Sequence, residues 1–354
     1  MEAKVKKLEG KIILFNGDKI KTEPRTEKLW LLDVIRGFSA LLIVLYHYTT
    51  QYDISIGHIV PYAFKVPWGC HAVYTFFLLS GFLTLYSYNE KNAALVFLKK
   101  RFLRLYPMFW VCMVVTTVYM FFLLPDRVPF LKQFIFNITM VPSFFGFNAV
   151  DGVYWTLAKE LMFYFGFAAV ILFGGINSKK YLWLWLWLIL ELFCTFFSQG
   201  GISSALLISE HLFAFLAGCA VFYLNHSGSS KERCLLVVYI LICILLCAKM
   251  HSMDIVLVFV VSLCVLVIGS QENSNSKFSC VKSLFSPVLF LSEISYVLYL
   301  THQFIGFGLI HKMETRGFTA EAWVLLPIAH AVMLAALLHY GVEIKINHVL
   351  KKYR

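Results

Sequence analysis

Charged side chains are scarce in this sequence. Asp, Glu, Lys and Arg make up 14% of its 354 residues, hydrophobic residues make up 60%, and the mean hydropathy is +0.74. About a quarter of the residues of a typical soluble domain are charged, so this composition excludes an ordinary water-soluble globule. Lipid is the expected solvent, and the length corresponds to many membrane helices because each takes roughly 20 residues.

Two other patterns are missing. The nine cysteines form no CxxC pair and no Cys/His spacing typical of a metal site, so we predict no metal. Residues 1–28 are polar and basic apart from the short apolar run 12–15, whereas a cleavable signal peptide needs a longer apolar core. We find no internal repeat and expect one integral membrane domain.

Apolar runs predict an all-α integral membrane fold with about ten transmembrane helices. The predicted spans are 30–48, 66–86, 102–124, 152–173, 181–197, 206–223, 234–247, 255–269, 287–310 and 322–340. The seventh and eighth are short for a bilayer.

The basic residues that give a net charge of +11 lie in short clusters between these runs, on alternate sides of successive spans. This distribution is typical of cytoplasmic loops and argues against a nucleic-acid partner. We therefore expect a multi-pass protein of the cytoplasmic (inner) membrane with both termini in the cytoplasm. The predicted organisation is a tail at 1–29, a membrane domain at 30–345 and a tail at 346–354.

Two segments depart from a plain helix bundle. Residues 11–22 alternate apolar and polar side chains around Asn16 and Gly17, a pattern that indicates a β-hairpin or, for so short and charged a piece, disorder. Residues 125–151 form an apolar outer loop, which predicts a re-entrant or interfacial helix. Asn137 in that loop begins a glycosylation sequon, a match that is common by chance.

Arg36 and His47 lie inside the first predicted span. An ionisable side chain at the centre of a membrane helix costs about 2.5–3.5 kcal/mol on insertion scales, so each one requires a reason. Their eleven-residue separation places them within about 20° of one helix face and roughly 16 Å apart along the axis. Each has a structural alternative, a headgroup anchor for Arg36 and a hydrogen-bonded interior histidine for His47.

Further polar residues lie in the fourth and ninth spans. Glu160 shares a helix face with Tyr164, and it is either functional or a structural partner of Lys159, Arg36 or a histidine. Ser295, Tyr299 and His302 form one polar stripe by their spacing, for which interhelix hydrogen bonding is the alternative. We expect structural roles for the remaining candidates, His71, Glu210, His211, His330 and His339.

A basic cluster of Lys100, Arg101 and Arg104 precedes Tyr106 and Pro107 in the third span. It is a topology signal with lipid headgroup contacts, or alternatively a clamp for phosphate groups, since the Arg fork suits phosphoryl oxygens.

Five segments, in order, resemble the motifs of the acyltransferase-3 family of membrane acyltransferases, and they cover nearly the whole chain. They are the pair Arg36 and His47; Phe76 to Leu83, with Ser80; Lys100, Arg101 and Arg104, with Lys where the family has Arg; Tyr154 to Glu160, with Thr156 where the family has Ser; and Ser295 to His302. Phe215 to Gly218 and Glu343 also fit, although Glu343 lacks the proline that often follows.

The resemblance implies transfer of an acyl group, usually acetyl from acetyl-CoA, to a hydroxyl of a glycan or of a related lipid-linked or small acceptor. It implies the stand-alone form, without a C-terminal hydrolase-like domain, and no permanently bound cofactor. The expected partners are the lipid bilayer, acyl-CoA and the saccharide acceptor, and a homo-oligomer stays open.

The resemblance also implies roles for residues. His47 would act as general base or as a transient acyl carrier, and Glu160 would orient and balance its imidazolium. The remaining candidates would take part in catalysis (Arg36 and His302), bind acyl-CoA (Arg36, Lys100, Arg101, Arg104 and Ser80) or position the acceptor (Trp155, Tyr164, Tyr299 and Ser295). Which of Ser80, Tyr299 and His302 would donate to the oxyanion stays open.

Two other classes of protein compete with the enzyme. A membrane transporter for a glycan precursor or an acylated metabolite would also carry intramembrane Arg, His and Glu, but such folds commonly show inverted repeats with broken helices. A structural or sensory scaffold would leave these costly residues unexplained.

Overall fold

The computed structural model describes residues 29–89, 93–174, 182–197, 211–270 and 284–353, together with four short strands near the N terminus. Strands β1 (Lys6–Leu8) and β2 (Lys11–Ile13) pair antiparallel, as do β3 (Phe15–Asn16) and β4 (Lys19–Ile20). The second pair agrees with the hairpin interpretation of residues 11–22.

Helices make up almost all of the other described residues. They are α1 (Trp30–Tyr46), α2 (Tyr52–Ser55), α3 (Val73–Ser87), α4 (Ala94–Leu123), α5 (Leu131–Asn137), α6 (Trp155–Leu172), α7 (Leu182–Phe197), α8 (Leu212–His226), α9 (Ser230–Met250), α10 (Met253–Ser270), α11 (Ser286–Glu314), α12 (Leu325–Leu338) and α13 (Ile344–Leu350). Two π-helical stretches, His47–Gln51 and His339–Glu343, join α1 to α2 and α12 to α13.

Within the described residues, eight helical stretches are long and apolar enough to cross a bilayer. They are Trp30–Ser55, Pro67–Ser87, Ala94–Leu123, Gly152–Leu172, Ser230–Met250, Met253–Ser270, Ser286–Glu314 and Glu321–Leu350. A multi-pass helical membrane protein is therefore the right class, because in lipid the backbone hydrogen bonds must be made within the helix. The predicted count of ten and the cytoplasmic termini stay predictions.

The span boundaries differ from the predicted ones in an informative way. The seventh and eighth predicted spans are full-length helices, because α9 and α10 include polar residues at their ends. The fifth and sixth are shorter apolar helices, Leu182–Phe193 and Leu212–His226; residues 206–210, with Glu210, lie outside the described part of the chain. Helix α4 begins at Ala94, so Lys100, Arg101 and Arg104 lie within this helix and not ahead of it.

The described residues fall into two compact units, and the first comprises Met1–Ile35, Tyr74–Phe97 and Phe165–Leu289. Its core is aromatic, with ring centroids of Phe77 and Phe215 4.7 Å apart and those of Phe213 and Phe259 5.2 Å apart. In this unit α3 and α8 cross closely at two glycines. A Cβ at Gly81 would overlap the carbonyl oxygen of Phe215, and one at Gly218 would overlap that of Leu78.

The second unit comprises Arg36–Val73, Leu98–Tyr164 and Phe290–Arg354. It contains the apolar loop 125–151, where the predicted helix is the short α5, flanked by 3-10 turns at Pro125–Arg127 and Pro142–Phe145. Exposed apolar side chains on this loop, Phe130, Leu131, Ile135, Phe144 and Phe145, suit an interfacial location, which stays a prediction.

Asn137, the sequon residue, is fully buried. Its amide nitrogen donates to the carbonyl oxygens of Gln133 at 2.8 Å and Asn148 at 3.0 Å, and its side-chain oxygen accepts from Val150 N at 2.9 Å. The side chain fixes the loop and is not available for glycosylation in this fold.

The glycine crossing of α3 and α8 generates a prediction. Gly218→Ala should lower the thermal midpoint of the protein in lipid nanodiscs, because the added methyl group overlaps a backbone carbonyl and such overpacking costs about 1–3 kcal/mol. The matched control is Gly228→Ala, since a Cβ there has no heavy atom within 4 Å. Equal midpoints for the two variants would show that the close crossing does not limit stability.

Candidate active site

His47 lies where the first span changes its helical geometry. It is the first residue of the π-helical stretch His47–Gln51, and its carbonyl oxygen accepts from Tyr52 N, five residues later. Such wider turns are rare in proteins overall, but they occur frequently at functional sites. The turn places the imidazole of His47 against α11, the helix that carries His302.

His302 is fully buried, and its contacts fix the position of its proton. Its Nδ1 lies 2.9 Å from Tyr299 O and 3.1 Å from Leu298 O. Both partners are carbonyl oxygens, which only accept, so Nδ1 carries the hydrogen. Nε2 of the neutral ring is then an acceptor, and it lies 3.1 Å from Nδ1 of His47.

The same reasoning fixes the tautomer of His47. Its Nδ1 also lies 2.8 Å from Ile43 O, so Nδ1 carries the hydrogen and shares it between Ile43 O and Nε2 of His302. The unprotonated nitrogen of His47 is therefore Nε2, for which no partner is recorded among the described residues. His47 is partly exposed. The pair thus presents one accessible basic nitrogen, with the second imidazole as its orienting acceptor.

Three contacts hold the turns of α11 around His302. Tyr154 OH donates to Leu300 O at 3.1 Å, Tyr48 OH donates to His302 O at 2.8 Å, and the carboxylate of Asp151 accepts from Phe304 N at 3.2 Å. Tyr48 fits only because residue 306 is glycine, since a Cβ there would overlap the Tyr48 ring.

Asp151 is a residue of this site that our sequence reasoning missed. It caps the helical segment that begins at Gly152, and its side chain accepts from Val153 N at 3.2 Å. The signal was an acidic residue directly before a helix start. Asp151 is fully buried, and burial raises the pKa of its carboxyl from the usual 3.8 to about 7, against the opposing effect of its backbone hydrogen bonds.

Glu160 and Tyr164 form a second polar group in the same unit. Tyr164 OH donates to Glu160, and the guanidinium carbon of Arg101 lies 4.8 Å from the Tyr164 ring centroid. Arg101 is buried by these contacts. The side-chain hydrogen-bond partner of His47 is His302, and the expected role of Glu160 beside an imidazolium stays a prediction.

Arg104 differs from Arg101. Its side chain is exposed, and it makes no hydrogen bond or ion pair with any described residue. It lies within electrostatic reach of Glu160, Tyr164 and Glu343. Of the two arginines in the predicted phosphate clamp, the one open to a ligand is therefore Arg104.

The polar stripe of α11 has internal partners. Ser295 Oγ donates to Ser292 O at 2.7 Å, and Tyr299 OH lies 3.2 Å from Val153 O and 2.8 Å from Thr156 Oγ1. These contacts favour the interhelix bonding alternative for Tyr299. Trp155, by contrast, is 42% exposed, as an acceptor platform requires.

Three other predicted residues are placed but have no role defined by their contacts. Arg36 and Lys100 are half-buried in the second unit, and Ser80 is half-buried on α3 in the first. Their contributions to acyl-CoA binding stay predictions. Nε2 of His330 lies 3.1 Å from Tyr119 OH, in agreement with a structural role.

Comparison with known proteins decides the family. A family model described as an acyltransferase domain matches residues 29–340. The chain belongs to the acyltransferase-3 family. This confirms the resemblance drawn from the motifs.

One curated relative extends the comparison. The sequence is 29% identical over 157 residues to Acyltransferase MdmB of Streptomyces mycarofaciens, a match that covers 41% of this chain and 39% of that protein. No solved structure matches the chain.

The buried carboxyl of Asp151 predicts a pH dependence of stability. Because the folded protein favours the protonated acid, with a pKa near 7 in place of 3.8, this stabilisation is complete below about pH 4 and is lost as the pH rises through about 7. The thermal midpoint of the wild type minus that of Asp151→Asn should therefore fall between pH 5 and pH 8. A difference that stays constant or rises over this range would contradict the prediction.

Proposed function

We propose that this family member is a membrane O-acyltransferase that moves an acyl group, acetyl by expectation, from acyl-CoA to a hydroxyl of a cell-surface or exported glycan. The observation that carries the proposal is the hydrogen-bonded pair of His47 and His302, with one accessible basic nitrogen. Family membership favours the enzyme over the transporter alternative.

The chemistry starts at Nε2 of His47, which acts as general base. It takes the proton of the acceptor hydroxyl while that oxygen attacks the thioester carbonyl. When the tetrahedral intermediate collapses, the carbon–sulfur bond breaks and Nε2 returns the proton to the CoA thiolate. The products are the ester and CoA.

His302 stabilises the charged intermediate state of this cycle. When His47 is an imidazolium, its Nδ1–H still donates to Nε2 of His302. The positive charge strengthens this hydrogen bond. This is the part that a carboxylate plays in the Ser-His-Asp arrangement, and we therefore assign the orienting role to His302 in place of Glu160.

Acyl-CoA binding rests on the basic residues of α4. Arg104 is exposed and without a direct ion pair among the described residues, so its fork is available for phosphoryl oxygens. Lys100 is half-buried one turn earlier, and Arg36 joins them in the proposal. Arg101 supports the site through Tyr164.

The glycan class of the acceptor rests on the family resemblance and on one supporting feature. Trp155 is exposed at the start of α6, where an aromatic face can stack on the apolar side of a sugar ring. Tyr164, Tyr299 and Ser295 have internal partners and support the walls of the site.

The catalytic pair gives a direct test. With purified protein in nanodiscs, radiolabelled acetyl-CoA and a panel of glycan acceptors, His47→Ala should lower kcat by roughly 10²–10⁴, the usual contribution of a general base. His302→Ala should lower kcat without raising KM for acetyl-CoA, because it removes the orienting acceptor and no donor-binding group.

His330→Ala is the matched control, since His330 is also a half-buried imidazole with a tyrosine partner in the second unit. Wild-type transfer no greater than that of His47→Ala on every acceptor would remove the enzymatic proposal. Recovery of an acyl group on His47 after a rapid denaturing quench near neutral pH would replace the general base by a covalent acyl carrier.

The two arginines of α4 should separate in their effects. Arg104→Ala should raise KM for acyl-CoA by about 10- to 100-fold, because a charge-assisted phosphate hydrogen bond contributes about 1.5–3 kcal/mol. Arg101→Ala should chiefly lower the thermal midpoint, since Arg101 is buried against Tyr164. Lys99→Ala, an exposed neighbour on the same helix, is the control, and an equal rise of KM in that variant would reduce the effect to general surface charge.

A further inference from the structure

A second buried histidine lies close to the catalytic turn and has no part in the mechanism above. His58 follows α2, and its side chain is 0% exposed, as its partner Glu314 is at 2%. Nδ1 of His58 lies 2.6 Å from Glu314 Oε1, and Nε2 lies 3.2 Å from Tyr48 O. Tyr48 O belongs to the π-helical stretch that begins at His47.

The local chain geometry brings His58 back to this stretch. The carbonyl oxygen of Tyr52 accepts from Ile56 N at 2.8 Å and from Gly57 N at 3.1 Å. Gly57 has φ +94°, a conformation that glycine adopts without strain. The chain therefore reverses at Gly57, and the His58 ring stacks on Tyr62 with centroids 3.7 Å apart.

Glu314 supplies the second half of the arrangement. Its Oε2 accepts from Tyr52 OH at 3.3 Å and from Ile59 N at 3.4 Å, while Oε1 faces His58. The partner of Nε2 of His58 is the carbonyl oxygen of Tyr48, which only accepts, so Nε2 carries a hydrogen and donates it to that oxygen.

Tyr48 connects this group to the catalytic pair at both of its ends. Its carbonyl oxygen accepts from His58, and its hydroxyl donates to His302 O at 2.8 Å. It is the residue after His47 in the chain. A shift of the Tyr48 backbone therefore moves His47 directly, and it also releases the turn of α11 that holds His302.

We propose that His58, held by Glu314, is a positioning residue that fixes the π-helical turn and so keeps Nδ1 of His47 against Nε2 of His302. This role rests on the proposed function only in its kinetic consequence, because the geometry of the pair can be measured without acyl transfer. A displacement of a reacting group by about 1 Å can cost about 100-fold in rate.

Two amide variants of His58 separate positioning from mere packing. His58→Asn places an amide at the site of Nδ1, so it keeps the Glu314 contact but does not reach Tyr48 O. His58→Gln places an amide N–H near the site of Nε2, so it can donate to Tyr48 O. We expect His58→Asn to lower kcat about 100-fold with KM for acyl-CoA unchanged, and His58→Gln to restore most of the loss.

The second measurement needs no substrate. Diethyl pyrocarbonate modifies unprotonated imidazole nitrogens, and in the wild type Nε2 of the buried His302 is covered by His47. Full-length protein in nanodiscs is treated, and modification of each histidine is followed by mass spectrometry. His302 in His58→Asn should react about tenfold faster, since losing one hydrogen bond of about 1.4 kcal/mol favours the opened turn by that factor.

Tyr48→Phe is a second variant, in case His58→Asn does not fold, because it keeps the ring beside Gly306 and removes only the hydroxyl bond to His302 O. It should also lower kcat and expose His302. Glu321→Gln is the control, since Glu321 accepts from Ala63 N, in the same connection between α2 and α3 as His58, without contact to Tyr48.

The outcomes distinguish the two proposals. If His58→Asn, His58→Gln and Glu321→Gln change kcat and His302 modification equally, the positioning role is overturned. If the wild type transfers acyl groups in the same experiment, the proposed function stands. Faster His302 modification in His58→Asn, in a protein that transfers no acyl group, would support the positioning role and count against the proposed function alone.

Discussion

One shared hydrogen between two imidazole rings organises the second unit of this protein. Nδ1 of His47 and Nε2 of His302 lie 3.1 Å apart. Two carbonyl oxygens, that of Ile43 at Nδ1 of His47 and that of Tyr299 at Nδ1 of His302, leave one arrangement of protons. The donor and the acceptor of each hydrogen bond in this series then follow. The series ends at Nε2 of His47, the basic nitrogen.

The choice of a second imidazole as orienting group has a physical reason in a membrane. A buried carboxylate at this position would carry the insertion cost of a full charge, whereas neutral His302 accepts the same hydrogen bond without it. The remaining cost is met by backbone contacts. Tyr154, Tyr48 and Asp151 each bind a main-chain group on the turns of α11 around His302, so the helix cannot rotate this ring away without breaking them.

Much of this could be predicted from the sequence, because hydropathy and residue spacing are local properties. The apolar runs located the spans, and the motif residues His47 and His302 proved to be in contact. The hydrogen-bond partner of His47 was harder to predict from the sequence, because Glu160 and His302 are both ionisable and both intramembrane. The spacing already placed Tyr164 beside Glu160, but only the three-dimensional contacts bring Arg101 to the Tyr164 ring.

The residues that the sequence did not reveal have two features in common. Asp151 and His58 lie outside the spans, and their partners are far away in the chain, with His58 and Glu314 separated by 256 positions. The π-helical stretch was also invisible, because a periodicity of 3.6 residues per turn is assumed when faces are assigned. Likewise, equal charge made Arg101 and Arg104 look equivalent, although one is buried and the other is open.

The π-helical turn makes the first span sensitive to length as well as to composition. A π turn accommodates about one more residue than an α turn, so residues beyond Gln51 are offset by about 100° from the wheel that includes Arg36. Removing one residue between His47 and Gln51 would relax the backbone to an ordinary helix and leave Tyr52 on its present face, but it would remove the wide turn that sets His47 against α11. The spacing of this span is therefore a constraint on insertions and deletions that no substitution scan would detect.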